Sequence, residues 1–223
     1  MWDWINIPPS MHPVFLEIPG HGNKLNESCP FTMLEIAKQL GPEITASEFQ
    51  IIGHSMGGYL IGSLLELGYR PKKIGLFHSK LGDDNEEKKA QRQRAIALVK
   101  ENHALYVRTM ISNLFSSFSK ERLHKEIEHL IGQAQLISIP TIIHCQQAMM
   151  TRTSAWELAK SLKIPTYYFA GGEDQSIPLS QIQHEVEHLY PIADLLAHSK
   201  LGHMGQWESP QLVSDWLIQH FSS

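Results

Sequence analysis

Apolar residues along this chain come in short runs broken by glycine and proline, and the runs alternate with segments of helical spacing. Residues 13–18 (PVFLEI) form one such run, stopped by Pro19-Gly20-His21-Gly22, which predicts a buried strand ending in a turn. Residues 32–40 place Met33, Ile36, Ala37 and Leu40 on one face of a helix. Residues 49–53 (FQIIG) and 73–77 (KIGLF) predict two more strands. The mostly apolar stretch 55–67 between them, small at its start, predicts a helix.

After residue 83 the character changes. Residues 83–102 are charged, with Ala90, Arg94, Ala97 and Leu98 near one side of a helix, and 121–135 read as another polar amphipathic helix. Between them, 106–118 carry Leu114, Phe115 and Phe118, side chains that suggest an apolar lining for a pocket. Segment 83–143 is therefore expected to be an inserted helical cap without a strand, between core halves 1–82 and 144–223. Downstream, 151–162 predict a helix, 165–170 (PTYYFA) a strand, 181–189 a helix, 193–197 a strand and 211–221 a closing helix. Strands alternating with helices argue for the α/β class, with a mostly parallel sheet flanked by helices.

Composition narrows the functional classes. A length of 223 residues suits one domain with an insert. Nineteen basic against twenty-three acidic residues leave no surplus to neutralise a phosphate backbone, so nucleic acid is not the expected partner. No run approaches the length that spans a membrane, and Met1-Trp2-Asp3-Trp4 lacks the basic region and apolar core of a leader. Two cysteines, Cys29 and Cys145, make no disulfide framework; a reduced, cytoplasmic setting is expected, with Cys145 a small buried residue.

The sharpest chemical signal is Gly53-His54-Ser55-Met56-Gly57-Gly58. It matches G-x-S-x-G directly after a predicted strand and before a predicted helix, the context the motif requires. A serine on so tight a turn is presented at the end of the strand, with the Met56 backbone N–H aimed at the same spot as an oxyanion donor. Gly53 and Gly57 are expected to supply the missing Cβ atoms that let strand and helix approach. A serine hydroxyl needs a base to take its proton and an acid to orient the base. Both follow in the order this architecture requires: Asp174, with Glu173 as competitor, in the turn after strand 165–170, and His203 in the loop after strand 193–197. His78, just past a strand end, reads as a satisfied structural histidine.

With those residues in view, the chain resembles the α/β-hydrolase superfamily, in its small esterase-like branch. Pro19-Gly20-His21-Gly22 is similar to the turn after an early strand, 53–58 to the nucleophile elbow, and 147–152 with Ile164-Pro165-Thr166 to the run into the acid-bearing strand. Gly172-Glu173-Asp174 with Ile177-Pro178 resembles the acid loop, and Gly202-His203-Met204 with Glu208-Ser209-Pro210 the histidine loop. The resemblance spans about residues 2–221 apart from the insert. It implies Ser55 as nucleophile, His203 as base and Asp174 as orienting acid, in a serine hydrolase acting on a small carboxylic ester or related acyl substrate, with no metal or organic cofactor required.

One departure stands out. The family's apolar strand ending in His-Gly, whose loop supplies the second oxyanion N–H, has no counterpart upstream of Trp2-Asp3-Trp4. The expectation is that the native product begins upstream of Met1, or else that 13–18 pairs directly with 49–53 or another chain fills the gap. Two alternative functions follow: a hydrolase-like binding protein with an incomplete oxyanion hole and, more remotely, a zinc hydrolase built on His184-Glu185-Val186-Glu187-His188, an H-E-x-x-H pattern with Glu208 as a third ligand.

Overall fold

The computed structural model describes residues 5, 7 and 11–222, so Trp2-Asp3-Trp4, where the resemblance begins, lies outside the described residues. Four strands form one sheet: β1 (Ile51–His54), β2 (Ile74–Phe77), β3 (Thr166–Gly171) and β4 (Ala193–His198). They lie side by side in chain order and every pairing is parallel, with His54 opposite Phe77, Phe77 opposite Phe169 and Gly171 opposite His198. This register brings all four C-terminal ends to one edge, where parallel sheets present their ligand sites.

The helices are α1 (Met33–Leu40), α2 (Met56–Glu66), α3 (Glu86–Glu101), α4 (His103–Asn113), α5 (His124–Ala134), α6 (Ile139–Thr151), α7 (Trp156–Leu162), α8 (Leu179–His188), the short α9 (Gly205–Glu208) and α10 (Pro210–Phe221); α4, α6 and α9 have no counterpart among the helices expected from the sequence, and the others lie close to the expected positions. Side-chain caps fix several starts: Thr32 accepts from Glu35 N–H, Asn85 from Lys88 N–H, and Asn102 from Leu105 N–H. The helix expected over 151–162 is divided. Thr151 closes α6, and Arg152 takes an extended conformation before α7 begins.

Alternation along the strands sorts side chains between the two faces of the sheet. Ile74, Leu76, Tyr168 and Ala170 join the core built with α1, α2, α7 and α8. Phe77 and Phe169 point the other way, onto Val213, Trp216, Leu217 and Phe221 of α10. A third cluster joins α3, α4 and α5 through Val99, Tyr106, Val107, Ile111, Ile127 and Ile131. The division expected at 143/144 falls inside α6, one continuous helix: Ile142 packs in this third cluster, whereas Cys145, Ala148 and Met149 pack in the main core.

Residues 13–18 are not a strand, contrary to the sequence-based expectation. They pair with no strand, and Val14 and Phe15 are 74% and 57% exposed. An apolar run becomes a strand only where a neighbour accepts its backbone hydrogen bonds, and β1, the candidate neighbour, forms the sheet edge among the described residues. The direct pairing of 13–18 with 49–53 is therefore not formed.

Candidate functional site

Ser55 occupies the turn between β1 and α2 with φ 52° and ψ −119°, a left-handed conformation that non-glycine residues rarely adopt. The turn is held from several sides. Ser55 N–H donates to the Phe77 carbonyl at 3.1 Å, and the Ser55 carbonyl accepts from Gly58 N–H at 2.9 Å and from the Ser79 hydroxyl at 2.6 Å. The glycine requirement differs from the sequence-based one. A Cβ on Gly53 would lie 2.4 Å from Gly58 N, and one on Gly58 2.1 Å from Ser79 Oγ, whereas one on Gly57 would meet open space. The close approach thus rests on Gly53 and Gly58. Met56 is the first residue of α2, so its N–H has no acceptor within the helix.

Asp174 and His203 come from the loops after β3 and β4 and meet in the interior. His203 Nδ1 donates to Asp174 Oδ2 at 2.7 Å, with His203 2% and Asp174 5% exposed. The other carboxylate oxygen accepts Ser176 N–H at 2.8 Å and Ile177 N–H at 3.0 Å. Burial raises the pKa of Asp174, but the charge and hydrogen bond of His203, with His78 alongside, outweigh it and hold the carboxyl well below the usual range. Glu173 faces elsewhere and accepts from the Ser117 backbone and hydroxyl. Among the described residues no hydrogen bond joins the Ser55 hydroxyl to His203.

The loop bearing His203 is fastened by residues that the sequence did not single out for this purpose. His203 N–H donates to the Leu114 carbonyl at 2.7 Å, and its carbonyl accepts from His54 Nε2 at 3.0 Å. Buried Glu208 accepts Gly202 N–H and Ser116 N–H, each at 2.7 Å, together with the Ser119 hydroxyl. Glu208 is thus a strut between the histidine loop and the cap rather than a metal ligand. Phe115 is buried in the cap cluster and Phe118 is 61% exposed beneath Lys200, so the expected lining is not assembled from both.

The H-E-x-x-H pattern also takes a structural role. Glu185 is fully buried and its carboxylate accepts from Leu81 N–H, Gly82 N–H, the Tyr168 hydroxyl and Trp156 Nε1. Four donors saturate an anion that a zinc enzyme would need free. His184 is exposed, and His188 pairs with Glu157 at 2.7 Å. Among the described residues one group brings three ligand-type atoms within 4.8 Å of one another, namely His78, Asp174 and His203. Those atoms are arranged as hydrogen-bonding partners, since Nδ1 of His203 shares its proton with Asp174.

Sheet order, parallel register and helical cover define the α/β-hydrolase fold, and the comparisons with solved structures agree. The chain is similar to an esterase from Exiguobacterium antarcticum, with a TM-score of 0.78 at 15% identity over 93% of this chain and 80% of that one. It is likewise similar to a thermophilic esterase from Thermogutta terrifontis (0.74, 20%, 91% and 76%) and to a bromoperoxidase from Bacillus anthracis (0.79, 14%, 93% and 80%). No protein-family model matches the chain, and no curated protein matches its sequence.

Proposed function

We propose that this chain is a serine hydrolase that cleaves a carboxylic ester or related acyl compound through Ser55, His203 and Asp174. The observation that carries the reading is the buried 2.7 Å bond between His203 Nδ1 and Asp174 Oδ2, at the same sheet edge as the strained Ser55. In this scheme Ser55 Oγ attacks the carbonyl carbon while its proton passes to His203 Nε2, and Met56 N–H donates to the developing oxyanion. His203 returns the proton to the departing alcohol, leaving an acyl-enzyme. Water, deprotonated by His203, then attacks the acyl carbon and releases the acid. Every proton is accounted for by the protein and water, so no cofactor is needed. Buried thiols Cys29 and Cys145, in hydrogen-bond contact at 3.7 Å between Sγ atoms without a disulfide, suit a reducing, cytoplasmic setting.

A second reading, a hydrolase-like protein that binds an acyl ligand without turning it over, draws on β1 being the sheet edge among the described residues, where a further strand and its oxyanion donor are expected. One experiment separates the two. A fluorophosphonate probe should label the protein, label it equally in the presence of a strong chelator, and fail to label Ser55→Ala. A folded protein that the probe never labels supports the binder, and labelling that needs added zinc overturns the serine mechanism.

A further inference from the structure

His78 takes no part in the scheme above, yet it stands against its central pair. It follows β2 directly, with φ 46°, in the left-handed region where histidine is among the few residues enriched. Its side chain is fully buried, with Phe77 and Phe169 edge-on to the ring at 4.6 and 5.4 Å between centroids. Backbone hydrogen bonding to Phe169 at 2.8 Å fixes its Cα at the end of β2.

The tautomer follows from the contacts. Nε2 lies 3.3 Å from Gly205 N–H, a donor, so Nε2 is the acceptor and the ring proton resides on Nδ1. Gly205 allows this approach: a Cβ there would lie 2.7 Å from Nε2. Nδ1 in turn lies 3.4 Å from Asp174 Oδ2, the oxygen that accepts from His203; the contact is electrostatic, since this buried nitrogen makes no hydrogen bond of good geometry. The ring is kept neutral by burial first, with His203 acting in the same direction and Asp174 and Glu208 opposing. His54 stands 6.1 Å away between ring centroids. The groups facing His78 are therefore Asp174, His203, His54 and Glu208.

We infer that His78 is a positioning residue: its Nδ1–H, aimed by Gly205, anchors Asp174 Oδ2 so that the carboxylate stays directed at His203. Ser176 and Ile177 N–H hold the other oxygen, Oδ1, so the Oδ2 end depends on its imidazole neighbours. A second N–H dipole beside Oδ2 stabilises the anion while His203 is neutral and completes the hold on that end. The inference rests on the serine hydrolase reading for its consequence in rate, but not for its geometry.

Two near-isosteric variants separate positioning from packing. His78→Asn keeps an N–H where Nδ1 stands and tolerates the left-handed backbone. His78→Gln can accept from Gly205 in place of Nε2 but places no N–H where Nδ1 was. On p-nitrophenyl acetate, His78→Gln is expected to lose about 10- to 100-fold in kcat with KM nearly unchanged, and His78→Asn to stay within a few-fold of the parent. A packing role predicts instead that both variants lose melting temperature with equal activity per folded molecule, which overturns the inference. A measurement on the unaltered protein covers the case in which the variants do not fold. Nitrogen-15 resonances of its histidines should show His78 as the Nδ1–H tautomer; the Nε2–H tautomer overturns the inference. If Ser55→Ala leaves hydrolysis intact, the functional reading falls, while the tautomer still tests the geometry.

Discussion

Ser55 and Asp174 show two ways in which single residues are forced into costly states. Ser55 is held in a left-handed conformation by bonds to Phe77, Gly58 and Ser79, a strain that persists only because its surroundings over-determine it. Asp174 is an anion in the interior, and it stays one because four polar contacts surround it, two from backbone N–H groups and two from imidazoles. The sign of its pH effect follows. The folded-state pKa lies below the unfolded one, so the unfolded chain binds the extra proton as pH falls through about 4, and stability is lost in that direction. Urea midpoints measured from pH 6 down to pH 2 should therefore fall more steeply for the parent than for Asp174→Asn. Parallel curves for the two proteins would remove Asp174 from the acid response.

Strand ends and loops gain their positions from buried carboxylates. Glu185 on α8 gathers the segment after β2 through Leu81 and Gly82, while Glu208 at the end of α9 ties the His203 loop to residues 116–119. Each is an acceptor placed where backbone N–H groups would otherwise be buried without partners. Glu208→Ala would leave the Gly202 and Ser116 backbone donors unsatisfied, so a loss of about 3 kcal/mol is expected in chemical denaturation. The same change frees the loop that carries His203, so under the proposed serine mechanism hydrolysis by the folded variant should drop as well. A variant with normal stability would show that water takes over the role of the carboxylate.

Helix α3 and the segment around Gly82 are joined to the end of α6 by a charged knot. Asp84, just before α3, pairs with Arg92 of α3 and, at 2.9 Å, with Arg152 beyond α6, and all three are buried. Arg152 also donates to the carbonyls of Gly82 and Met149 and lies 3.7 Å above the Tyr59 ring. Burial works against ionising Asp84, but the two guanidinium groups outweigh it and lower its pKa. Removing one member of a buried ion cluster leaves its partners uncompensated, which costs about 3–5 kcal/mol. Asp84→Ala is expected to lose that much in urea titration, and a loss below about 1 kcal/mol would show the knot to be hydrated.

Much of this arrangement was legible in the chain itself. The runs 73–77 and 165–170 became β2 and β3 because residues buried on both faces must be apolar throughout, a signal that needs no partner to be read. The placement of Ser55 on a strand-to-helix turn was legible for a local reason too, since Gly53 is set by sterics against Gly57 and Gly58, within six residues. Other features depended on contacts far apart in sequence. Residues 13–18 have the composition of a strand, but composition does not bring them alongside β1, the edge of the described sheet, and no pairing forms. His184-Glu185-Val186-Glu187-His188 has the spacing of a zinc motif, but burial of Glu185 against Leu81, about a hundred positions away, assigns its carboxylate to the backbone. His78 and Asp174 are brought together by the parallel register of β2 and β3, so no local pattern around a lone histidine could reveal that it faces a carboxylate.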